Sequence, residues 1–423
     1  MTFKIITLGC KVNIYESEVM KEKLLQAGFK ETIDNSDIVI INTCSVTNMA
    51  DVKSRKMIRR EKKENPQSIL VVCGCSAENH RLELEDLGID ILIGNKDKSN
   101  IVSLIWEYQN DHKPIIKFYD TRKLPFEDMK VDKFTSHTRG FIKIQDGCNN
   151  YCSYCIIPYV RGNIRSKDIN VALKEAQELV ANNHKEIVLT GIHTGSYGVG
   201  YDFDLVDLIN KMSTIPGLKR IRLSSIEITE LNDKFMELLK NNTILCNHLH
   251  IPLQSGSEKI LKLMNRKYDK SRYESIINQI RAIRPEISIT TDVIVGFPGE
   301  TESDFNECLD FCRKIKYAKI HVFPYSKREG TKAASMPNQL DSKTKKDRAR
   351  KLIELSNELE EAYNQKFLGR NMDVLVEEYK DSCSIGHTSN YLKVIIEAKV
   401  PTNEFYNVKI TKTSSSEVTG KIN

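Results

Sequence analysis

Residues 143–166 read KIQDGCNNYCSYCIIPYVRGNIRS. Cys148, Cys152 and Cys155 stand at CxxxCxxC spacing directly behind FIKIQ, a short apolar run with the length and composition of a β-strand. Cysteine makes up only 11 of the 423 residues, so three at these fixed offsets read as a site for a soft, thiophilic metal rather than as chance. A structural zinc wants four ligands, and the fourth would have to fold in from a distance. A [4Fe-4S] cluster on three thiolates instead leaves one iron open to ligate a substrate, which makes the site catalytic.

Downstream of that stretch the pattern repeats. Strand runs FIKIQ, EIVLTG, RIRLSS, HLHIPLQ, ITTDVIVGF and KIHVFPYS alternate with helical segments. Six βα units predict a partial (β/α)6 barrel, short of the eight units and about 250 residues of a complete one. Its chemistry belongs at the carboxyl ends of the strands, where the cysteine loop leaves the first of them. A charged amphipathic helix over 342–366 follows, with Leu352, Leu355, Leu359 and Ala362 as its stripe. Beyond Gly369, the runs MDVLVEEY, YLKVIIEA and NVKITK predict a small β-barrel.

Upstream, FKIITLG, DIVIIN, SILVVCG and DILIG alternate with helical stretches over 15–27, 46–63, 77–87 and 98–108. Strand and helix in strict turn predict an open parallel α/β domain. The expected organisation is therefore an α/β domain over 1–112, a linker over 113–138 carrying Pro114 and Pro125, the barrel with its following helix over 139–366, and the tail domain over 367–423. Cys10, Cys44 and Cys75 fall just past the carboxyl ends of successive N-terminal strands, the edge where open α/β sheets bind ligands. Each alone is more often a small core residue, but three in register converge on a second metal site. Cys73 lies inside its strand and reads as core, whereas Cys75 follows Gly74 as Cys10 follows Gly9. Cys308 and Cys312 share a helix stripe with Phe305 and Leu309 and read as packing, and Cys246 and Cys383 have no partner at ligand spacing. His193, His248, His250 and His321 lie at barrel strands and can line a site, although singly such residues are more often satisfied core histidines.

The composition, 40% apolar and 28% charged, is that of a soluble globular protein. No apolar run approaches the roughly 20 residues of a membrane span, and MTFKIITLGC is no export signal, so the chain is expected in the cytoplasm with its cysteines reduced. With 63 Lys and Arg against 57 Asp and Glu, a net +6 permits a nucleic-acid partner without requiring one. The densest basic stretch, 51–64, carries Lys53, Arg55, Lys56, Arg59, Arg60, Lys62 and Lys63 and is either a solvated face or an RNA contact.

Over nearly its whole length the chain resembles the radical S-adenosylmethionine methylthiotransferases that modify tRNA. The likeness rests on LGCKVNIYES, NTCSVTNMAD, GCSAE and KIQDGCNNYCSYCIIPYVRGNIRS, followed in order by HIPLQSGS, LKLMNRKY, TDVIVGFPGE, HVFPYSKREGT and GHTSNYLKV. LTGIHTGSYG, after the second barrel strand, is similar to the branch that acts on threonylcarbamoyladenosine. The resemblance implies an auxiliary [4Fe-4S] cluster on Cys10, Cys44 and Cys75, a radical [4Fe-4S] cluster on Cys148, Cys152 and Cys155, and a TRAM tail that grips RNA, with Tyr391 and Lys393 as candidate contacts. It further implies that S-adenosylmethionine, touched by Gly191, Gly296 and Glu300, is cleaved to a 5′-deoxyadenosyl radical, and that the auxiliary cluster supplies the sulfur of a methylthio group placed on adenine C2 beside the anticodon. The partners implied are the tRNA anticodon stem-loop and an electron donor such as a flavodoxin or ferredoxin. Three alternatives stand: an isopentenyladenosine target, a ribosomal-protein target, and a zinc-bearing RNA-binding protein with an inactive barrel.

Overall fold

Six parallel strands form the N-terminal sheet of the computed structural model, which describes residues 1–45, 47–134 and 137–422. They are β1 (Thr2–Thr7), β2 (Lys30–Glu31), β3 (Ile38–Thr43), β4 (Ile69–Gly74), β5 (Ile91–Ile93) and β6 (Ile115–Lys117), in the spatial order β2-β1-β3-β4-β5-β6. Val46, which opens the second expected helix, Thr135 and Ser136 of the expected linker, and Asn423 of the tail lie outside the described residues. Helices α1 (Lys11–Gln26), α2 (Asn48–Glu64), α3 (Cys75–Asn79), α4 (Arg81–Glu85) and α5 (Ile101–Asp111) connect the strands. α1 starts four residues before the expected Tyr15, because its buried face includes the polar Asn13 and Glu16, which blur the apolar periodicity. The third expected helix breaks at His80 into α3 and α4.

The segment expected as a linker is ordered by both neighbours. Its first residues form β6, paired with β5, and Met129, Val131 and Phe134 are buried in the core of the central domain. Tyr15 of α1 donates its hydroxyl to Met129 O at 2.7 Å, tying the segment to the N-terminal domain.

The central barrel strands are β7 (Gly140–Lys143), β10 (Glu186–Thr190), β11 (Arg220–Leu223), β12 (His248–His250), β13 (Ser288–Val295) and β14 (Lys319–Pro324). All are parallel, in two three-stranded sheets joined by bridges from Ile221 to Leu245 and from Ser225 to His250. This is the predicted partial barrel, with β7 and β14 as free edges. A two-residue hairpin of β8 (Gln145–Asp146) and β9 (Arg165–Ser166) closes the base of the cysteine loop. Helices α6 (Ile157–Val160), α7 (Ile169–Ala181), α8 (Leu205–Met212), α9 (Asp233–Asn241), α10 (Glu258–Leu263), α11 (Lys270–Ile283) and α12 (Glu302–Ile315) fall between the strands, and α13 (Ser342–Asn364) packs along β14. The N-terminal domain bridges the barrel's gap: α1 packs on β7, and Asn48 N donates to Ser326 Oγ just after β14 at 3.2 Å.

The tail is a closed five-stranded barrel of β15 (Asn371–Lys380), β16 (Cys383–Thr388), β17 (Lys393–Ile396), β18 (Phe405–Thr413) and β19 (Val418–Ile422). It caps the amino-terminal end of the central barrel. Arg220 donates to His387 O and Asp373 O, and Arg222 donates to Thr388 O and Ser389 O.

Candidate functional site

The loop from Cys148 to Cys155 leaves the carboxyl end of β7 through β8, at the expected barrel face. Backbone bonds pin it: Cys148 N donates to Gly162 O and Ser153 N to Met264 O, both at 3.0 Å. Two side chains from other barrel loops reach the sulfurs. Arg266 Nη1 donates to Cys152 Sγ at 3.2 Å, while its other guanidinium nitrogens bond Glu227 and Tyr268. His193 Nδ1 lies 3.9 Å from Cys148 Sγ and 2.8 Å from Ser196 Oγ, with Nε2 2.6 Å from Glu230. Burial opposes a charge on His193, yet the Cys148 sulfur and Glu230 raise its pKa to about 10.

Cys10, Cys44 and Cys75 follow β1, β3 and β4, which are adjacent in the sheet. Glycine makes this convergence possible. Gly9 has φ +114°, and a Cβ there would stand 2.9 Å from Cys44 Sγ. Gly74 has φ +100°, and a Cβ there would lie 2.5 Å from Thr43 O. Gly74→Ala is therefore expected to cost about 1–3 kcal/mol and to displace Cys75. Reduced iron content at this site together with a lower denaturation midpoint would show it; unchanged values for both would refute it. Cys73 points the other way, into the apolar core beside Ile91 and Ile93, whereas Cys75 packs with Ile156 and Val160 of the barrel loop. Cys308 and Cys312 are buried in the barrel core, as expected of packing residues.

Arg161 joins the two sets. It lies six residues after Cys155 and is fully buried, and its Nε donates to Cys75 Sγ at 3.2 Å. Its Nη1 reaches Glu16 at 2.9 Å and Asp146 at 3.1 Å, and Nη2 reaches Asn13 at 3.0 Å. Lys98 and Lys143 complete the network on the same two carboxylates. Arg161, Lys98 and Lys143, with Arg165 at 3.5 Å from Asp146, thus face two carboxylates, a surplus of positive charge beside Cys75 that would suit a thiolate there. Arg328, after β14, lines a cavity together with Cys155. The N-terminal triad meets the cysteine loop where Cys75 packs against Ile156 and Val160, with Ile157 beside them.

Beside Cys155 opens a cavity of 180 Å³ lined by Tyr154, Gln254, Asp292, Ile294, Tyr325 and Arg328 among others. Gly191, Gly296 and Glu300 are not among its lining residues. Gly191 backs onto Gln145, and Glu300 accepts from Gly296 N at 2.8 Å and from Arg348 at 2.5 Å, so its carboxylate holds the turn after β13.

Residues 142–312 match the Radical SAM superfamily, and residues 2–94 match the family described as Uncharacterized protein family UPF0004. The chain is 41% identical over 402 residues to the threonylcarbamoyladenosine tRNA methylthiotransferase MtaB of Bacillus subtilis, covering 92% of this chain and 89% of that one. It is 36% identical to the MtaB of Thermotoga maritima over 99% of this chain and 96% of that one. The chain belongs to the radical S-adenosylmethionine tRNA methylthiotransferases. As a member it is a transferase that works with S-adenosylmethionine and a [4Fe-4S] cluster. A tRNA-2-methylthio-N(6)-dimethylallyladenosine synthase of Clostridium tetani is also 36% identical, over 99% of this chain and 96% of that one. The radical S-adenosylmethionine methyltransferase TsrM of Kitasatospora setae shares the fold, with a TM-score of 0.56 at 14% identity over 79% of this chain and 76% of that one.

The residues of this methylthiotransferase fit iron-sulfur clusters better than single ions. Each triad offers three thiols, one short of a tetrahedral structural zinc and the number that holds a [4Fe-4S] cluster with one iron left open. An anionic cluster is also matched by Arg161 at one triad and Arg266 at the other, and such hydrogen bonds to sulfur tune the reduction potential. The sequence reading missed Arg161 and Arg266, although both stand inside motifs it quoted. Tyr391, expected at an RNA surface, is stacked on His387 at 4.7 Å with Arg222 over its ring at 4.6 Å, facing the barrel. Lys393 is exposed.

Proposed function

We propose that the chain transfers a methylthio group to adenine C2 of N6-threonylcarbamoyladenosine beside the anticodon of tRNA, using two [4Fe-4S] clusters. What carries this reading is the pair of cysteine triads, one on each sheet, joined through Arg161. In it Cys148, Cys152 and Cys155 hold the radical cluster, and Cys10, Cys44 and Cys75 hold the auxiliary one. When bound, these groups supply the electron that cleaves S-adenosylmethionine and the sulfur that is methylated and transferred.

The protein supplies position, charge and shielding. Arg266 and His193 fix the sulfurs of Cys152 and Cys148, and Tyr154 and Ile294 offer the cavity beside Cys155 an apolar wall for an adenosyl group. Gly191, Gly296 and Glu300 shape the S-adenosylmethionine site, Glu300 acting through the turn it holds. tRNA approaches over the N-terminal domain, where Lys53, Lys56, Arg59 and Lys63 of α2 are exposed. A flavodoxin or ferredoxin is the proposed class of electron donor, and the cytoplasm the compartment. No described helix is long and apolar enough to cross a membrane.

The test is a comparison of tRNA nucleosides from cells with and without the gene. The expected result is loss of the methylthio group from threonylcarbamoyladenosine alone. Loss from isopentenyladenosine would move the chain to the activity that the Clostridium tetani relative's name describes, and unchanged nucleosides would refute both.

A further inference from the structure

Where the N-terminal domain meets the chain that follows β14, an outer groove of 1020 Å³ opens between α2 and the segment 327–335. The 180 Å³ cavity beside Cys155 adjoins it, and Arg328 lines both. The two spaces also run along neighbouring residues of the same two segments. Thr47 and Ser326 line the inner one, Asn48 and Lys327 the outer, and Asn48 N donates to Ser326 Oγ at 3.2 Å. Arg328 therefore stands at the throat between an open groove and the space proposed for the chemistry.

Most of the acids in the groove are already engaged. Asp51 lies 3.5 Å from His80 and accepts from Ser45 at 3.1 Å, and Glu83 pairs with Arg55 at 3.5 Å. The side chains of Lys327, Arg328 and Lys332 make no hydrogen bond or ion pair among the described residues, and Glu329 is the only lining acid left to set against them. Lys327 and Lys332 are exposed, but Arg328 is not a solvated surface charge: its Nη2 is buried without a partner, and burial pushes its pKa down. Buried donors are almost always paired in a working protein, so the acceptor for this one comes from outside the chain. Aromatic faces stand at the rim. Tyr159 of α6 lines the groove, Tyr151 of the cysteine loop meets it edge-on at 5.7 Å, and the two are 54% and 41% exposed. Cations for phosphates and open rings for splayed bases, in one concave surface, suit single-stranded RNA. A folded acidic protein such as an electron donor would reach the exposed lysines but not the recessed Nη2 of Arg328. A nucleotide drawn out of its stack enters base first and brings its phosphate to that depth.

We propose that Arg328 clamps a phosphate flanking the adenosine to be modified, holding it at the throat while the base enters the cavity beside Cys155 and the neighbouring loop nucleotides occupy the outer groove. The inference rests on the tRNA reading above and not on which adenosine derivative is modified. Its test measures the affinity of the reconstituted full-length enzyme for synthetic anticodon stem-loops in which each phosphate around the target adenosine is replaced in turn by an uncharged methylphosphonate. The wild type is expected to lose about 10- to 100-fold at one position next to the target. Arg328→Gln is expected to lose a similar factor on the all-phosphate RNA and nothing further at that position, the signature of a direct pair in a double-mutant cycle. The log–log salt dependence of its binding should flatten by about 0.7. Arg328→Lys, which keeps the charge without the fork, should hold that slope and recover part of the affinity. Iron content is measured on the same preparations. Additive losses at every position would overturn the phosphate contact, and additive losses accompanied by lost iron would put the guanidinium on the cluster instead. A flavodoxin affinity that Arg328→Gln lowers while RNA affinity keeps its wild-type value would make the groove a donor's dock and overturn the clamp. A wild type that binds and modifies the stem-loops with no sensitive phosphate sinks the clamp alone, whereas one that binds no stem-loop refutes the tRNA reading with it.

Discussion

Cys152→Ala is expected to lower the iron content of anaerobically reconstituted protein from about eight to about four per chain and to reduce cleavage of S-adenosylmethionine at least about 1,000-fold. The size of the effect follows from the site's geometry. Cys152 is one of only three protein ligands proposed for the radical centre, and Arg266, whose Nη1 donates to it at 3.2 Å, cannot stand in as a ligand because a guanidinium has no lone pair to offer. Cys75→Ala, in the N-terminal triad, should remove the other four irons while S-adenosylmethionine cleavage to 5′-deoxyadenosine persists and methylthio transfer stops. The two variants together read out two separable centres. Stoichiometric zinc without iron in the wild type would remove the basis of both expectations and restore the zinc-bearing alternative. Loss of all iron from either single variant would merge the triads into one centre.

The elements that were legible in the sequence are those whose signal is local. The barrel strands alternate with helices at regular spacing, and the N-terminal strands carry β-branched runs, so both parallel sheets follow from pattern alone. Cys148, Cys152 and Cys155 were legible from spacing, and Cys10, Cys44 and Cys75 from topology. Cys73 reads as core because it lies inside the apolar run, and the structure buries it beside Ile91 and Ile93, whereas Cys75 lies past the strand end, where Gly74 at φ +100° turns the chain, and packs with Ile156 and Val160. What escaped depends on contacts across domains. β6 has three residues behind Pro114, too few to outweigh the proline and charge around it, and only its pairing with β5 makes it a strand. Arg161 was not singled out, because no local feature shows that its partner Glu16 lies 145 residues away. Tyr391 stood as a candidate RNA contact by resemblance alone, and the sequence does not show that Arg139, Arg222 and His387 gather around its ring.

Arg161→Met should expose how far the two domains depend on charge at Cys75. Methionine keeps much of the volume but abandons the contacts to Cys75, Glu16, Asp146 and Asn13, every one of them buried. Breaking a buried ionic network by removing one partner costs about 3–5 kcal/mol when a charge is stranded. Which charge is stranded depends on the metal. With Cys75 as a neutral thiol, the remaining Lys98, Lys143 and Arg165 still cover Glu16 and Asp146, and the loss reduces to hydrogen bonds and packing. With Cys75 as a metal-bound thiolate, a buried negative sulfur loses its only guanidinium donor among the described residues. The variant is therefore expected to be destabilised more in the reconstituted protein than in protein prepared without iron, with a fall in melting temperature on the order of 10 °C for the former. It should also lose iron faster to a chelator. Arg161→Lys, which keeps the charge but lacks the fork that reaches several acceptors at once, should fall between the two. Equal destabilisation with and without iron would place the compensating negative charge elsewhere than Cys75 and would remove the physical link between that sulfur and the barrel.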